Sequence, residues 1–107
     1  MTGDSTLGGY LDVHGSPPTF SGVDGNAYSV EIYVDEAPHT DGRFGAAILF
    51  VRWSAERRRP EGHLETPYLA YGDTQEEAGA YLGRLTMQEL KSQLDQLIED
   101  RKELPDW

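Results

Sequence analysis

The run "FGAAILFVRWS", Phe44 to Ser54, constrains the fold more than any other part of the chain, because it is apolar at both parities. In an extended backbone Phe44, Ile48 and Phe50 fall on one side and Leu49, Val51 and Trp53 on the other. A strand with two apolar faces belongs in the middle of a sheet, with partners on both edges. The stretch before it, "AYSVEIYVD", alternates strictly instead. Tyr28, Val30, Ile32 and Val34 point one way while Ser29, Glu31, Tyr33 and Asp35 point the other, so a strand over about 27–35 has one core face and one wet face. "YLDVH" alternates in the same manner and reads as a short strand over 10–14. "LETPYLAYG" reads as an extended segment over 64–71, in which Pro67 implies an edge position or a late start to pairing. Residues 1–9 are small and polar and read as a flexible lead. "GSPPTFSGVDGN", "EAPHTDGR" and the charged "AERRRPEGH" read as loops and turns, because proline removes backbone donors and Gly and Asn tolerate positive φ.

Past Gly72 the period changes. Ala78, Tyr81, Leu82 and Leu85 keep helical spacing, and the next apolar set, Met87, Leu90, Leu94 and Leu97, is out of phase with it. The break falls at Thr86, where Thr86-x-x-Glu89 repeats the start signal of Thr74-x-x-Glu77. The pattern therefore predicts two helices, about 75–84 and 87–103, the first carrying Gly79 and Gly83 that bring it close to the sheet. The expected fold is α+β: a small antiparallel sheet of three to four strands followed by two C-terminal helices packed on one face, forming a single domain over 10–107. The leucine stripe Leu90, Leu94, Leu97 and Leu104 has two readings. It is either core for its own fold or the seam of a homodimer, for which the small size of the sheet argues. The terminal Trp107 beyond Pro105 points to a docked end.

Charge narrows the possible partners. Nineteen acidic residues against nine basic ones give a net charge of −10, and no basic side chain precedes Arg43. Such a surface repels phosphate backbones and anionic lipid, so neither nucleic acid nor membrane is an expected partner. The chain contains no cysteine, and its opening residues lack the basic and apolar regions of a secretory signal, so the cytoplasm is the expected compartment. Three histidines, His14, His39 and His63, are the only candidate bases. None lies in a helical metal spacing or a nucleophile motif. Asp12 with His14 and His39 with Asp41 are the closest approach to ligand pairs, and the expectation is no catalytic residue, no metal and no cofactor. The cluster Arg57, Arg58 and Arg59, reinforced by Arg52, reads as a solvated loop balanced by Glu56 and Glu61, or as a grip on an acidic partner or phosphate.

From Tyr28 to Leu85 the order of a strand, a polar turn, a strand entering on Phe44-Gly45, and "GDTQEEA" opening a helix resembles the N-terminal domain of HicB-type antitoxins and their stand-alone relatives. The family's DNA-binding segment has no counterpart, the second helix standing in its place. The resemblance implies a β-rich domain with a helix on one face that neutralises or binds another protein without catalysis. The residues and the resemblance together lead to a non-catalytic module of antitoxin, immunity or adaptor type that occludes a partner with a basic surface. Tyr33, Trp53, Tyr68 and Tyr71 are its candidate anchors. A nucleic-acid-mimicking inhibitor and a small enzyme are the alternatives.

Overall fold

The computed structural model describes residues 6–54, 56 and 59–102. Its elements are α1 (Leu7–His14), β1 (Thr19–Ser21), β2 (Ala27–Val34), β3 (Phe44–Trp53), β4 (Pro60–Glu65), β5 (Ala70–Gly72), α2 (Gln75–Leu82) and α3 (Met87–Lys102). The class is α+β, with a five-stranded antiparallel sheet and the helices gathered on one side. The strand apolar on both faces is the centre of that sheet. β3 pairs through Ala46–Trp53 with β2 on one edge; on the other it pairs through Leu49–Trp53 with β4 and through Phe44–Ala46 with β5. Between these two half-length partners Thr66 closes the gap. Its backbone N–H donates to the Ile48 carbonyl and its Oγ1 accepts from the Ile48 N–H, each at 3.0 Å. Pro67, which has no N–H to offer, follows at this switch.

Register sorts the two faces. Val30 lies opposite Phe50, Ile32 opposite Ile48 and Val34 opposite Ala46, and this side meets Leu7, Ala78, Leu82, Leu90, Leu94 and Ile98 in one buried cluster. Gly72 allows α2 its close approach, since a Cβ there would lie 2.5 Å from the backbone nitrogen of Ala78. Gly79 does not play that part: a Cβ there would meet Val34 and Ile32 at ordinary contact distances of 3.5 and 3.9 Å.

Other expectations need correction too. The segment 10–14 is helix, not strand, and the expected flexible lead is ordered from Thr6 onward. Over five residues alternation cannot be told from the Leu7/Leu11 pairing of a helix, and here Thr6 accepts from the Gly9 N–H at the start while Gly15 ends the helix in the left-handed region, φ 72°. The first N–H groups of α1, on Leu7 and Gly8, donate to the carbonyls of Leu85 and Gly83 at 2.7 and 2.8 Å, so the α2–α3 link holds α1 in place. Thr19–Ser21, expected as loop, is an edge strand, and the charged loop after Trp53 gives way to β4 at Pro60; the single segment 64–71 is thus replaced by two strands. Arg57, Arg58, Leu104 and Trp107 lie outside the described residues.

The double helix start has the expected chemistry. Thr86 Oγ1 accepts from the Glu89 N–H at 3.0 Å while Glu89 accepts from the Thr86 N–H at 2.9 Å, a closed capping box. Thr74 caps Glu77 in the same way, but Glu77 reaches back to the N–H of Asp73 instead. A further correction concerns the α3 stripe. Leu90 and Leu94 are 0% exposed and pack in the chain's own core with Ile98, while Leu97 is half-buried on the flank beside His63, Leu64 and Arg101. The buried line follows the 3.6-residue period through Ile98, not the seam through Leu97, so Leu90 and Leu94 are not available to a second copy.

Among the described residues no helix is long and apolar enough to cross a membrane.

Candidate functional site

The three helices cover one face of the sheet, and among the described residues no element covers the other. That open face reads across the strands in rows. Gly45 lies opposite Tyr71; Tyr33 opposite Ala47; Glu31, Leu49 and Glu65 form the middle row; Ser29, Val51 and His63 the next; and Ala27 lies opposite Trp53. From Gly45 to Trp53 the face is about 26 Å long at the strand rise of 3.3 Å per residue.

One end is organised around Asp35, which follows β2 and begins the hairpin into β3. Its backbone N–H donates to Gly45 at 3.0 Å, and its carbonyl accepts from the Gln75 side chain at 2.8 Å, which ties the hairpin to the start of α2. The hairpin tip is a tight turn in which Gly42 (φ 84°) donates to the His39 carbonyl and His39 donates to that of Arg43, both at 2.8 Å. This geometry returns the imidazole of His39 onto Asp35, with Nε2 2.7 Å from Oδ2. The hydroxyl of Tyr68 donates to Oδ1 at 2.8 Å, and Tyr33 donates to the same carboxylate. The Asp35 side chain is 13% exposed. Burial works against its charge, but the hydrogen bonds from His39, Tyr68 and Tyr33 outweigh that and hold the carboxyl below the ordinary carboxylate value. The same bond to Asp35, with partial burial, pushes the Tyr68 phenol up to about 12, and raises Tyr33 as well.

The rings pack as closely as the hydrogen bonds. His39 lies 5.3 Å from Tyr68 and 5.8 Å from Tyr71, and Tyr68 lies 5.6 Å from Tyr71, all as tilted or edge contacts. Arg43 sits over Tyr71 at 5.3 Å. The ring of Tyr68 lies on Gly45, where a Cβ would come within 2.6 Å of it. At the other end of the face Trp53 donates its indole N–H to Ser29 at 2.9 Å and walls a shallow cleft of about 400 Å³ with Pro17, Thr19, Ala27 and Glu31.

All four candidate anchors lie on this face, three of them together. Tyr33, Tyr68 and Tyr71 keep 42%, 41% and 38% of their surface exposed while their polar ends or ring edges are held, and Trp53 stands apart at the far end. Sequence reasoning missed Asp35 and His39. It set His39 beside Asp41, whereas Asp41 accepts from the Arg43 N–H within the turn. The available signal was a carboxylate at a strand end, a histidine four residues on, and a hairpin short enough to fold one onto the other. Asp12 and His14 fall on α1, two residues apart and so on different sides, with His14 stacked on Tyr10 at 4.1 Å. Among the described residues no group of three or more His, Asp or Glu side chains is placed to hold a metal ion. No family model, curated protein or solved structure matches the chain.

Proposed function

We propose that this chain is a non-catalytic protein-binding module of antitoxin, immunity or adaptor type, acting in the cytoplasm and occluding a partner protein with the open face of its sheet. The observation that carries this reading is the convergence of Tyr33, Tyr68 and Tyr71 around Asp35 on the one face that the helices leave free. Rings held by hydrogen bonds and by each other lose little freedom on docking, which is what makes half-exposed tyrosines effective anchors. Trp53 gives the face a second anchor at its far end. A net charge of −10 favours a basic partner through faster encounter. The HicB-like order of strand, turn, Phe44-Gly45 and "GDTQEEA" adds to the same reading.

The experiment is affinity capture from the native host with the wild-type chain and with Tyr68→Ala/Tyr71→Ala, both shown folded by circular dichroism. The expected result is one basic protein captured by the wild type and lost in the variant. Equal capture by both would move the interface off this face, and capture of nothing by either would refute the module.

A further inference from the structure

The middle row of the open face has its own chemistry. Glu31, Leu49 and Glu65 are consecutive cross-strand neighbours on β2, β3 and β4, so the two glutamates stand two strand spacings apart, about 10 Å, with a half-buried leucine between them. Both glutamates are exposed, and among the described residues neither forms an ion pair or a hydrogen bond. Val51 continues the apolar floor toward Trp53, and Ala47 continues it toward Tyr33 and Tyr68.

We infer that this row is an arginine-recognition site: a partner segment laid along the open face places an arginine over Leu49, between the carboxylates of Glu31 and Glu65. The inference rests on the docking-face function and names the partner chemistry it selects. A guanidinium is planar and weakly hydrated, so it stacks on an apolar side chain while its edges donate to carboxylates on both sides. Flanking apolar residues of the same segment would meet the tyrosine cluster at one end and Trp53 at the other. The local charges also select against alternatives. A phosphate backbone would face two unpaired carboxylates, and a second copy of this chain would bring its own acidic surface to them.

The test uses the full chain labelled for nuclear magnetic resonance and a short capped peptide alternating arginine and leucine, with its citrulline analogue as the uncharged match. The arginine peptide is expected to bind saturably and shift the amides of Glu31, Leu49, Val51 and Glu65. Glu31→Gln/Glu65→Gln is expected to weaken it roughly fivefold or more, as two partly desolvated ion pairs are lost. Asp12→Asn/Glu76→Gln removes the same charge from α1 and α2 and should leave binding unchanged. Equal weakening by both double variants, equal binding of the citrulline peptide, shifts confined to the helices, or no saturable binding would each overturn the inference. So would the same shifts produced by an oligonucleotide, or by concentrating the protein alone. A partner captured through Tyr68 and Tyr71 that still binds Glu31→Gln/Glu65→Gln at full affinity overturns the arginine site and leaves the docking-face function standing.

Discussion

Asp35 shows how one residue can organise a surface. A carboxylate at the end of a strand gathers a histidine from the hairpin, a tyrosine from its own strand and another from the β4–β5 connection, so side chains from three segments share one acceptor. Asp24 does the same inside the β1–β2 turn, accepting from the Asn26 backbone and amide at 3.0 Å and from the buried Tyr28 hydroxyl at 2.8 Å. These groups give stability a pH window. Both carboxyls lie below the ordinary 3.8 when folded, so their contribution is complete above that value and is lost as pH falls through it toward the lowered folded values. Tyr28 and Tyr68 are raised from 10.0 to about 12, so theirs is complete below 10 and is lost as pH climbs from there through about 12. Urea midpoints across the pH range should fall on both limbs. In Asp35→Asn the ultraviolet titration of Tyr68 should move back toward 10.0, with Tyr28 still titrating late. Gly45→Ala probes the same cluster sterically. The added methyl displaces the Tyr68 ring from the sheet, at a cost of about 1–3 kcal/mol, and should shift the resonances of Tyr68, His39 and Tyr71 together.

At the scale of elements, the two C-terminal helices differ in what limits them. α3 begins with a complete capping box, and Thr86→Ala removes the acceptor of the Glu89 N–H, which should cost about 1 kcal/mol in urea denaturation. α2 carries Gly79 in a helical backbone where a methyl group would meet Val34 and Ile32 at ordinary contact distances of 3.5 and 3.9 Å, so Gly79→Ala should raise stability by about 0.5–1 kcal/mol. A gain from the first change would mean that the cap contributes nothing, and a loss from the second would mean that α2 sits closer to Val34 than the geometry allows. α3 is also fastened along its length. Asp95 accepts from the Val23 N–H at 3.0 Å, so the helix holds the β1–β2 turn as well as covering the sheet.

Across the whole molecule, the two faces of the sheet divide the labour. One face of the sheet meets all three helices and supplies the core; the other is left with half-buried aliphatics, exposed glutamates and the tyrosine cluster. Leu94 belongs to the first. Leu94→Ala should therefore cost about 2–5 kcal/mol of stability with the change read as a lower unfolding midpoint, and Leu94→Lys should abolish the folded near-ultraviolet signal. A Leu94→Lys chain that stayed folded would place that position on an interface after all.

The sequence by itself determined whatever depends on near neighbours along the chain. The strand alternation of Tyr28–Val34, the two-sided apolar run of β3 and the paired starts at Thr74 and Thr86 are each complete within a few residues, so period and capping chemistry expose them. The same parity argument put Tyr33 and Trp53 on identifiable faces. Only the tertiary structure decided the rest. α1 forms because distant carbonyls of Gly83 and Leu85 receive its first N–H groups, and β4 and β5 split one edge of β3 because Thr66 can bridge the break. Leu90 and Leu94 became core because the sheet was large enough to receive them with Ile98. The Asp35 cluster and the Glu31–Leu49–Glu65 row join residues from three separate segments, and such proximity is set by strand register, which no local pattern in the chain records.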